Sequence, residues 1–240
     1  MNDHNPHGCR QRMDDDKFYD VLDQGFVRLV DWMGSDCSIV RAARVSYNAD
    51  WRAGNVAASD ERLLFYLLKN KHTSPFEAVV FTFEVKAPIF VLRQWHRHRT
   101  WSFNEISARY AELDEGYYVP HVDNITTQST TNKQMRTQEK HPLAGYIAAG
   151  IAGNCAQSFG AYKRLLDEGC PRELARSVLP VAAYSRMFAT VNLHNLMHFL
   201  TLRLHEHAQF EIRVYAEALL KLVEPVVPVT VRAFNESARI

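Results

Sequence analysis

Residues 93–110 of this 240-residue chain concentrate the side chains most suited to binding an anion. The segment, called the arginine stretch below, also holds two histidines, two serines and the carboxylate of Glu105; its four arginines are Arg93, Arg97, Arg99 and Arg109. Each guanidinium presents a rigid fork of donors that fits phosphate or carboxylate oxygens. The stretch therefore predicts an anion site, with Glu105 as a group that orients the arginines.

Two other interpretations of the arginine stretch are open. Arginine-rich segments often form solvated faces or structural ion pairs. A nucleotide- or RNA-binding module without catalysis would use the arginines with Trp95 and Trp101 as stacking platforms. The formal net charge is only +1, whereas nucleic-acid binders usually carry a basic excess over a whole face. We therefore expect no nucleic-acid partner.

A second set of polar residues recurs at helical intervals, with His194, His198 and His205 in one series and Arg203, His207 and Glu211 in another. Residues four apart share a face of a helix, so polar faces are expected there. Histidine pairs at this spacing can bind zinc, but the glutamate of the metalloprotease pattern is absent. We predict no metal site.

The four cysteines are Cys9, Cys37, Cys155 and Cys170, and none forms a Cys-x-x-Cys pair. Neither a zinc knuckle nor a redox dithiol is indicated. No export signal or membrane-length apolar run is present, so a cytoplasmic protein without disulfides is expected. Cys170, before a proline at a predicted helix start, is a minor candidate for a nucleophile.

Hydrophobic spacing places the elements that must position these residues. Strands are predicted at 26–32, 79–85 and 184–191. Helices are predicted at 38–46, at 59–68 with Ser59 as its cap, from Pro88 into the arginine stretch, and at 141–168, 171–179, 192–204 and 208–223. Residues 72–77 are predicted as a turn and 123–140 as an exposed loop.

These elements do not alternate as regular βαβ units, which favours an α+β fold over a doubly wound sheet. We expect a mixed domain with a central antiparallel-type sheet flanked by helices. The polar segment 1–17 is expected to be a flexible lead-in, and 18–240 a single catalytic domain.

The order of residues in the arginine stretch resembles the signature of the flavin-dependent thymidylate synthases, which is Arg-His-Arg, seven residues, then Ser. Here Arg97-His98-Arg99 is followed by seven residues and Ser107, flanked by Asn104-Glu105 and Arg109-Tyr110. The other blocks similar to the family, in the same order, are Ala43-Arg44-Val45-Ser46, His72 with Ser74-Pro75-Phe76-Glu77, Ala175-Arg176-Ser177-Val178-Leu179-Pro180, and the run from Leu202 to Glu211. The resemblance extends from about residue 21 to 225.

This resemblance implies an enzyme with the family's fold that converts dUMP to dTMP. It implies bound FAD, NADPH as reductant and 5,10-methylenetetrahydrofolate as carbon donor. It also implies a homotetramer whose active sites draw on more than one subunit.

The resemblance also assigns residues to the two ligands. The flavin contacts are Ser46, His72, Ser74, Arg97, His98, Arg99, Glu105, Asn192, His194, His198 and His207. The dUMP contacts are Gln94, Arg97, Glu105, Ser107, Ala108, Arg109, Arg176 and Arg203.

Arg203 and Ser107 are the candidate catalytic residues. Arg203 near a uracil carbonyl would stabilise the negative charge that develops when C6 is attacked. Ser107 is interpreted as a phosphate-binding group, because no neighbouring base is predicted to activate it as a nucleophile.

Overall fold

The structure is a computed structural model that describes residues 18–114 and 116–237. The predicted lead-in at 1–17, together with Cys9, lies outside the described residues.

An antiparallel sheet of five strands forms the centre of the fold. The strands of the chain are β1 (Phe18–Val21), β2 (Gly25–Met33), β3 (Val80–Pro88), β4 (Ser102–Glu105), β5 (Thr126–Gln128), β6 (Arg136–Lys140) and β7 (Tyr184–Asn192). The sheet order is β1-β2-β3-β7-β4, and each neighbouring pair is antiparallel. Strands β5 and β6 form a separate hairpin. The predicted α+β class with an antiparallel sheet is confirmed.

Eight α-helices occur in the described part of the chain. They are α1 (Asp36–Val45), α2 (Ala57–Lys69), α3 (Ile89–Trp95), α4 (Ala144–Asp167), α5 (Arg172–Ala175), α6 (Leu193–Arg203), α7 (Phe210–Val223) and α8 (Pro228–Ser237). Short 3-10 turns occupy Asp50–Arg52, Ser74–Ala78, Val122–Asn124 and Arg176–Val178. None of these helices combines the length and apolar character needed to cross a membrane.

The core lies where β2, β3 and β7 meet α6 and α7. Phe81, Phe83 and Val85 on β3 are fully buried, as the alternation of a strand with one face on a core requires. They belong to the same apolar cluster as Phe199 of α6 and Tyr215 of α7. The helices that carry His194, His198 and Arg203 (α6) and Glu211 (α7) are therefore packed directly on the sheet.

Three predicted helices differ from the structure in their bounds. Helix α2 begins at Ala57, with Val56 rather than Ser59 at its N-cap position. The hydroxyl of Ser59 instead accepts a hydrogen bond from Arg44, at 3.2 Å. The predicted helix at 171–179 is divided into α5 and the 3-10 turn that follows it, and α7 begins at Phe210 rather than at 208.

The prediction that residues 123–140 form a loop was also wrong, because this segment contains the β5–β6 hairpin. Its polar side chains pair with one another across the strands, and the hydroxyls of Thr127 and Thr137 lie 2.6 Å apart. Threonine favours strands, and cross-strand threonine pairs stabilise them. A segment with little apolar content can therefore form strands here.

Candidate functional site

The seven residues of α3 carry the chain from the sheet to the arginine stretch. The helix begins directly after Pro88, and Val91, Leu92 and Trp95 are buried on one side of it. Arg93 therefore faces solvent and Gln94 is half-buried at the edge of the core.

Trp95 and Trp101 hold both ends of the segment that carries the Arg-His-Arg motif. Trp95 stacks on Phe199 with ring centroids 4.9 Å apart, and Trp101 lies nearly parallel to Phe103 at 6.1 Å. Both tryptophans are buried in the core. The suggestion that they are exposed stacking platforms for nucleic-acid bases was therefore wrong.

The guanidiniums of Arg93, Arg97 and Arg99 are exposed and form no hydrogen bond or ion pair with any described residue. Arginines elsewhere in the molecule do find partners; Arg44, for example, lies 2.6 Å from Asp60. The interpretation of the stretch as structural ion pairs therefore fails for these three. Unpaired guanidiniums on one short segment suit an anion from outside the chain.

Arg203, the last residue of α6, is held above the motif by two hydrogen bonds. Its Nε donates to Nε2 of His98 at 3.1 Å, and its Nη2 donates to the main-chain oxygen of Gln94 at 3.3 Å. Burial and the nearby charge of Arg97 both lower the pKa of Arg203. Two guanidiniums thus face the same region, and no described carboxylate pairs with either.

His98 accepts one of the two hydrogen bonds that hold Arg203 in place. Its ring is 8% exposed and packs edge-on against Phe199, with centroids 4.8 Å apart. Burial, followed by the nearby Arg203 and His198, lowers the pKa of His98 to about 4. A neutral ring can accept the hydrogen bond from Arg203, which a protonated ring cannot. The exposed His198 lies next to it, at 6.2 Å between ring centroids.

Gln94 is joined to a buried carboxylate through Gln209. The side-chain Nε2 of Gln94 donates to Oε1 of Gln209, and Nε2 of Gln209 donates to Oε2 of Glu211 at 2.8 Å. Glu211 is only 3% exposed and also accepts from Tyr118 at 3.2 Å and from Arg136 at 3.1 Å. Arg136 lies on β6, so the hairpin is tied to the start of α7.

Glu105 ends the edge strand β4. Its Oε1 accepts a hydrogen bond from the buried hydroxyl of Ser185 at 2.5 Å. Its Oε2 lies 3.9 Å from Nε2 of His96. Glu105 therefore has a fixed position beside the arginines without forming an ion pair with any described arginine.

The turn after β4 presents Ser107, Ala108 and Arg109. Both the amide and the Nε of Arg109 approach Oγ of Ser107, at 3.4 and 3.5 Å. Ala108 is 7% exposed, and its N–H donates to no described residue. No histidine or carboxylate of the described chain hydrogen-bonds to Ser107, so nothing here activates it as a nucleophile.

The remaining predicted flavin residues lie on α1, α6 and the turn that packs between these helices. Ser46 caps the C-terminus of α1, and His72 and Ser74 are exposed at the turn Ser74–Ala78. The amide of Leu193 donates to the main-chain oxygen of Val79 at 2.8 Å, which brings this turn to the start of α6. His194 is half-buried on the first turn of α6.

Asn192 is partly committed to a structural role at this point. Its Oδ1 accepts from both nitrogens of Asn195 at 2.9 Å, which caps α6. Only its amide N–H groups remain for a ligand.

Neither Arg176 nor His207 forms a hydrogen bond or ion pair with another predicted site residue of the described chain. Arg176 donates to the main-chain oxygen of Glu173 at 3.4 Å. His207 lies 3.4 Å from the carboxylate of Glu206, in the loop between α6 and α7.

The prediction of two polar helix faces was wrong for His205 and His207. Because α6 ends at Arg203 and α7 begins at Phe210, His205 and His207 lie outside both helices. No group of three histidine, cysteine or acidic side chains placed to hold a metal occurs among residues 18–114 and 116–237. Cys170 packs against the small apolar cluster that includes Phe159, and its thiol forms a hydrogen bond to the main-chain oxygen of Pro171 at 3.8 Å, not to a base of the described chain.

Tyr118, Arg136 and Gln209 were not identified as candidates from the sequence. Gln209 and Glu211 stand in a matched block, which was the available signal for them. Nothing in the local sequence marks Arg136 or Tyr118, because their connection to Glu211 depends on the fold.

Comparison with known proteins identifies close relatives over most of the chain. Residues 28–229 match the family model described as thymidylate synthase complementing protein. A flavin-dependent thymidylate synthase from Treponema denticola is 48% identical over 92% of this chain and 82% of its own length. One from Thermus thermophilus is 49% identical over 90% of this chain and 77% of its own.

A solved structure shares the fold. The UMP/dUMP methylase PolB from Streptomyces cacaoi, bound with 5-Br dUMP, superimposes with a TM-score of 0.83 at 38% identity. The match covers 92% of this chain and 99% of that one.

Proposed function

Because this chain belongs to the flavin-dependent thymidylate synthase family, we propose that it converts dUMP to dTMP through bound FAD, with methylenetetrahydrofolate as carbon donor and NADPH as reductant. The observation that carries the proposal is the set of unpaired guanidiniums on the arginine stretch, of which Arg97 lies near Arg203. A dianionic phosphate beside a dinucleotide pyrophosphate needs several such groups.

The residues present fit both ligands. For dUMP, the turn at Ser107 offers a hydroxyl, the free amide of Ala108 and the guanidinium of Arg109 to a phosphate. For FAD, Arg97 and Arg99 are exposed and unpaired among the described residues, as pyrophosphate contacts require. The flavin contacts proposed on α1, on the following turn and on α6 are the polar side chains of Ser46, His72, Ser74, Asn192, His194 and His198. We keep Glu105 and Arg97 as residues shared by the two ligands, and His207 as a further flavin contact.

Arg203 has the central chemical role in this proposal. A bound flavin supplies hydride chemistry, while the protein binds and polarises the uracil. Arg203 donates to a uracil carbonyl and stabilises the negative charge that grows on the ring during attack at C6. His98 and the main-chain oxygen of Gln94 fix the plane of its guanidinium, so little reorganisation accompanies the reaction.

We also propose a homotetramer with shared active sites. Helix α4 supports this, because residues 143–162 contain no charged side chain although much of the helix surface is exposed. Tyr146 on this helix is 79% exposed. Depletion of charge with an exposed aromatic is typical of an interface core. A second copy would also supply Arg176 to a site that its own chain does not join it to.

The experiment that tests the proposed function is an absorption spectrum of the purified protein before and after dUMP is added. We expect the bands of an oxidised flavin, with a shift on dUMP binding because the two ligands lie close together. An assay for dTMP with methylenetetrahydrofolate and NADPH follows. A colourless protein that takes up no added FAD would contradict the proposal.

A further inference from the structure

The hydrogen bonds that lead from Glu211 to Gln94 have a fixed direction. Glu211 is paired with Arg136, so its carboxylate carries a charge and can only accept hydrogen bonds. The amide of Gln209 must therefore turn its nitrogen toward Glu211, which leaves its oxygen facing Gln94. Gln94 must then turn its own nitrogen toward Gln209. Gln94, Gln209 and Glu211 are called the amide relay below.

The amide relay leaves one atom of Gln94 for a ligand. Its Oε1 accepts no hydrogen bond from the described residues, and Gln94 is only half-buried. The main-chain oxygen of the same residue receives Arg203. The free acceptor of Gln94 and the guanidinium donor of Arg203 are thus both anchored at residue 94. A group that offers an N–H next to a carbonyl oxygen matches this pair.

We propose that Glu211 acts through Gln209 to hold Gln94 as a hydrogen-bond acceptor, and that this selects a pyrimidine with an N–H at ring position 3. A uracil ring offers that N–H beside its carbonyl oxygens, whereas cytosine has an unprotonated acceptor nitrogen there. With cytosine, the oxygen of Gln94 would face the acceptor nitrogen at ring position 3, and both groups would lack a hydrogen bond. An unpaired polar group of this kind lowers the affinity for the wrong nucleotide strongly. This inference rests on the proposed function, because it assumes that a uracil nucleotide occupies the site.

The β5–β6 hairpin supports the amide relay through Arg136. Arg136 reaches Glu211 from β6 and also donates to the main-chain oxygen of Asn124 at 3.0 Å. It neutralises a carboxylate that would otherwise be buried without a cation. Glu211 is therefore a positioning residue, since it touches Gln209 and not the ligand.

The test compares binding of dUMP with binding of dCMP to the FAD-loaded protein, measured by titration calorimetry. The variant Glu211→Gln keeps the shape but can donate as well as accept, so both amides of the relay become free to reverse. We expect dUMP to bind more weakly and dCMP more tightly, so that their affinity ratio falls about tenfold. A variant that merely damaged the structure would weaken both nucleotides.

A second variant keeps the test decisive if Glu211→Gln does not fold. Gln209→Met removes the relay at an exposed position and leaves the pair of Glu211 and Arg136 intact. We expect the same fall in the affinity ratio. The matched control is Tyr118→Phe, which removes a donor to the other oxygen of Glu211 and should leave the ratio at its wild-type value.

Three outcomes would overturn the inference. They are an unchanged ratio in Gln209→Met, an equal loss of affinity for both nucleotides, and a fall in Tyr118→Phe as large as in Gln209→Met. Failure of the wild-type protein to bind FAD or dUMP would instead contradict the proposed function, so the two failures are distinguishable.

Discussion

At the scale of single residues, the site combines charges that are left unpaired with side chains that are firmly held. Arg97 and Arg99 have no partner in the described chain, while Arg203 is fixed by His98 and Gln94. In the proposed function, the unpaired charges of Arg97 and Arg99 bind the ligands, and the fixed charge of Arg203 acts on the reacting ring. Substitutions at the two kinds of residue should therefore affect different measurements.

Replacing Arg203 with Ala should lower kcat by about 100- to 1,000-fold, since a preorganised donor to the developing negative charge is lost. FAD content per subunit, measured from the flavin absorbance, should stay close to that of the wild type. The matched control is Arg232→Ala, which removes from α8 a guanidinium that is paired with Glu61 of α2. If FAD content and kcat fell together, Arg203 would have a structural rather than a catalytic role.

The buried His98 predicts a pH dependence of stability. Its pKa is lowered to about 4 in the folded protein, from about 6.5 in an exposed histidine. As the pH falls from about 6.5 toward 4, the unfolded chain takes up a proton that the folded chain does not, so the free energy of unfolding decreases. Arg203 and His198 are the charged and titratable neighbours that oppose protonation.

Urea denaturation of the wild type and of His98→Asn at pH 7.5 and pH 5 would measure this dependence. Asn keeps an acceptor for Arg203 but has no titrating ring. The wild type should lose more stability than the variant between the two pH values, because other acidic groups titrate equally in both proteins. Equal losses would show that folding does not lower the pKa of His98.

At the scale of elements, the carboxylate of Asp36 joins α1 to α8, two helices that are far apart in the sequence. Asp36 begins α1, and its side chain accepts from the amides of Val229 and Thr230 at 2.9 and 3.1 Å and from the Thr230 hydroxyl at 2.6 Å. These amides belong to the first turn of α8, whose donors have no partner within the helix. Asp36 therefore serves as a cap for α8 that is distant in sequence.

Asp36→Ala should lower the free energy of unfolding by about 1–2 kcal/mol, the usual effect of losing a helix cap. Asp36→Asn retains one acceptor oxygen and should lose less. Chemical denaturation of both variants measures the difference. A loss as large in the Asn variant would indicate that the charge of Asp36, rather than its capping hydrogen bonds, stabilises α8.

At the scale of the whole molecule, the long helix α4 is the element that one chain covers least. Only Ala144, Cys155, Phe159 and Tyr162 of its 24 residues are buried. A long exposed surface without charge, at residues 143–162, is costly to leave in water, which supports an association through this surface.

If the proposed tetramer forms through this surface, Tyr146→Glu should shift the protein to smaller species in light scattering, with loss of dTMP formation. A buried charge without a partner is strongly unfavourable at an interface. The control is Asn235→Glu, which adds the same charge at an exposed position on α8. Full activity in a monomeric Tyr146→Glu variant would contradict the shared active site.

The local sequence was sufficient for the elements that have a strong periodic pattern and for the family signature. Strands β2, β3 and β7 and helix α4 were predicted within a few residues, because an alternating or helical apolar pattern reports directly which face meets a core. The Arg-His-Arg motif and the serine that follows after seven intervening residues can likewise be read directly from the sequence. The sequence therefore determined the family, the fold class and the candidate residues.

Only the tertiary structure decided how those residues are used. Packing against distant elements buries Trp95 and Trp101. The hydrogen bond between His98 and Arg203 and the relay from Glu211 to Gln94 join residues that are far apart in the chain. The hairpin escaped prediction because threonine pairs replace an apolar pattern there. Burial and the direction of a hydrogen bond are properties of a three-dimensional environment, so a pattern of residue types along the chain does not contain them.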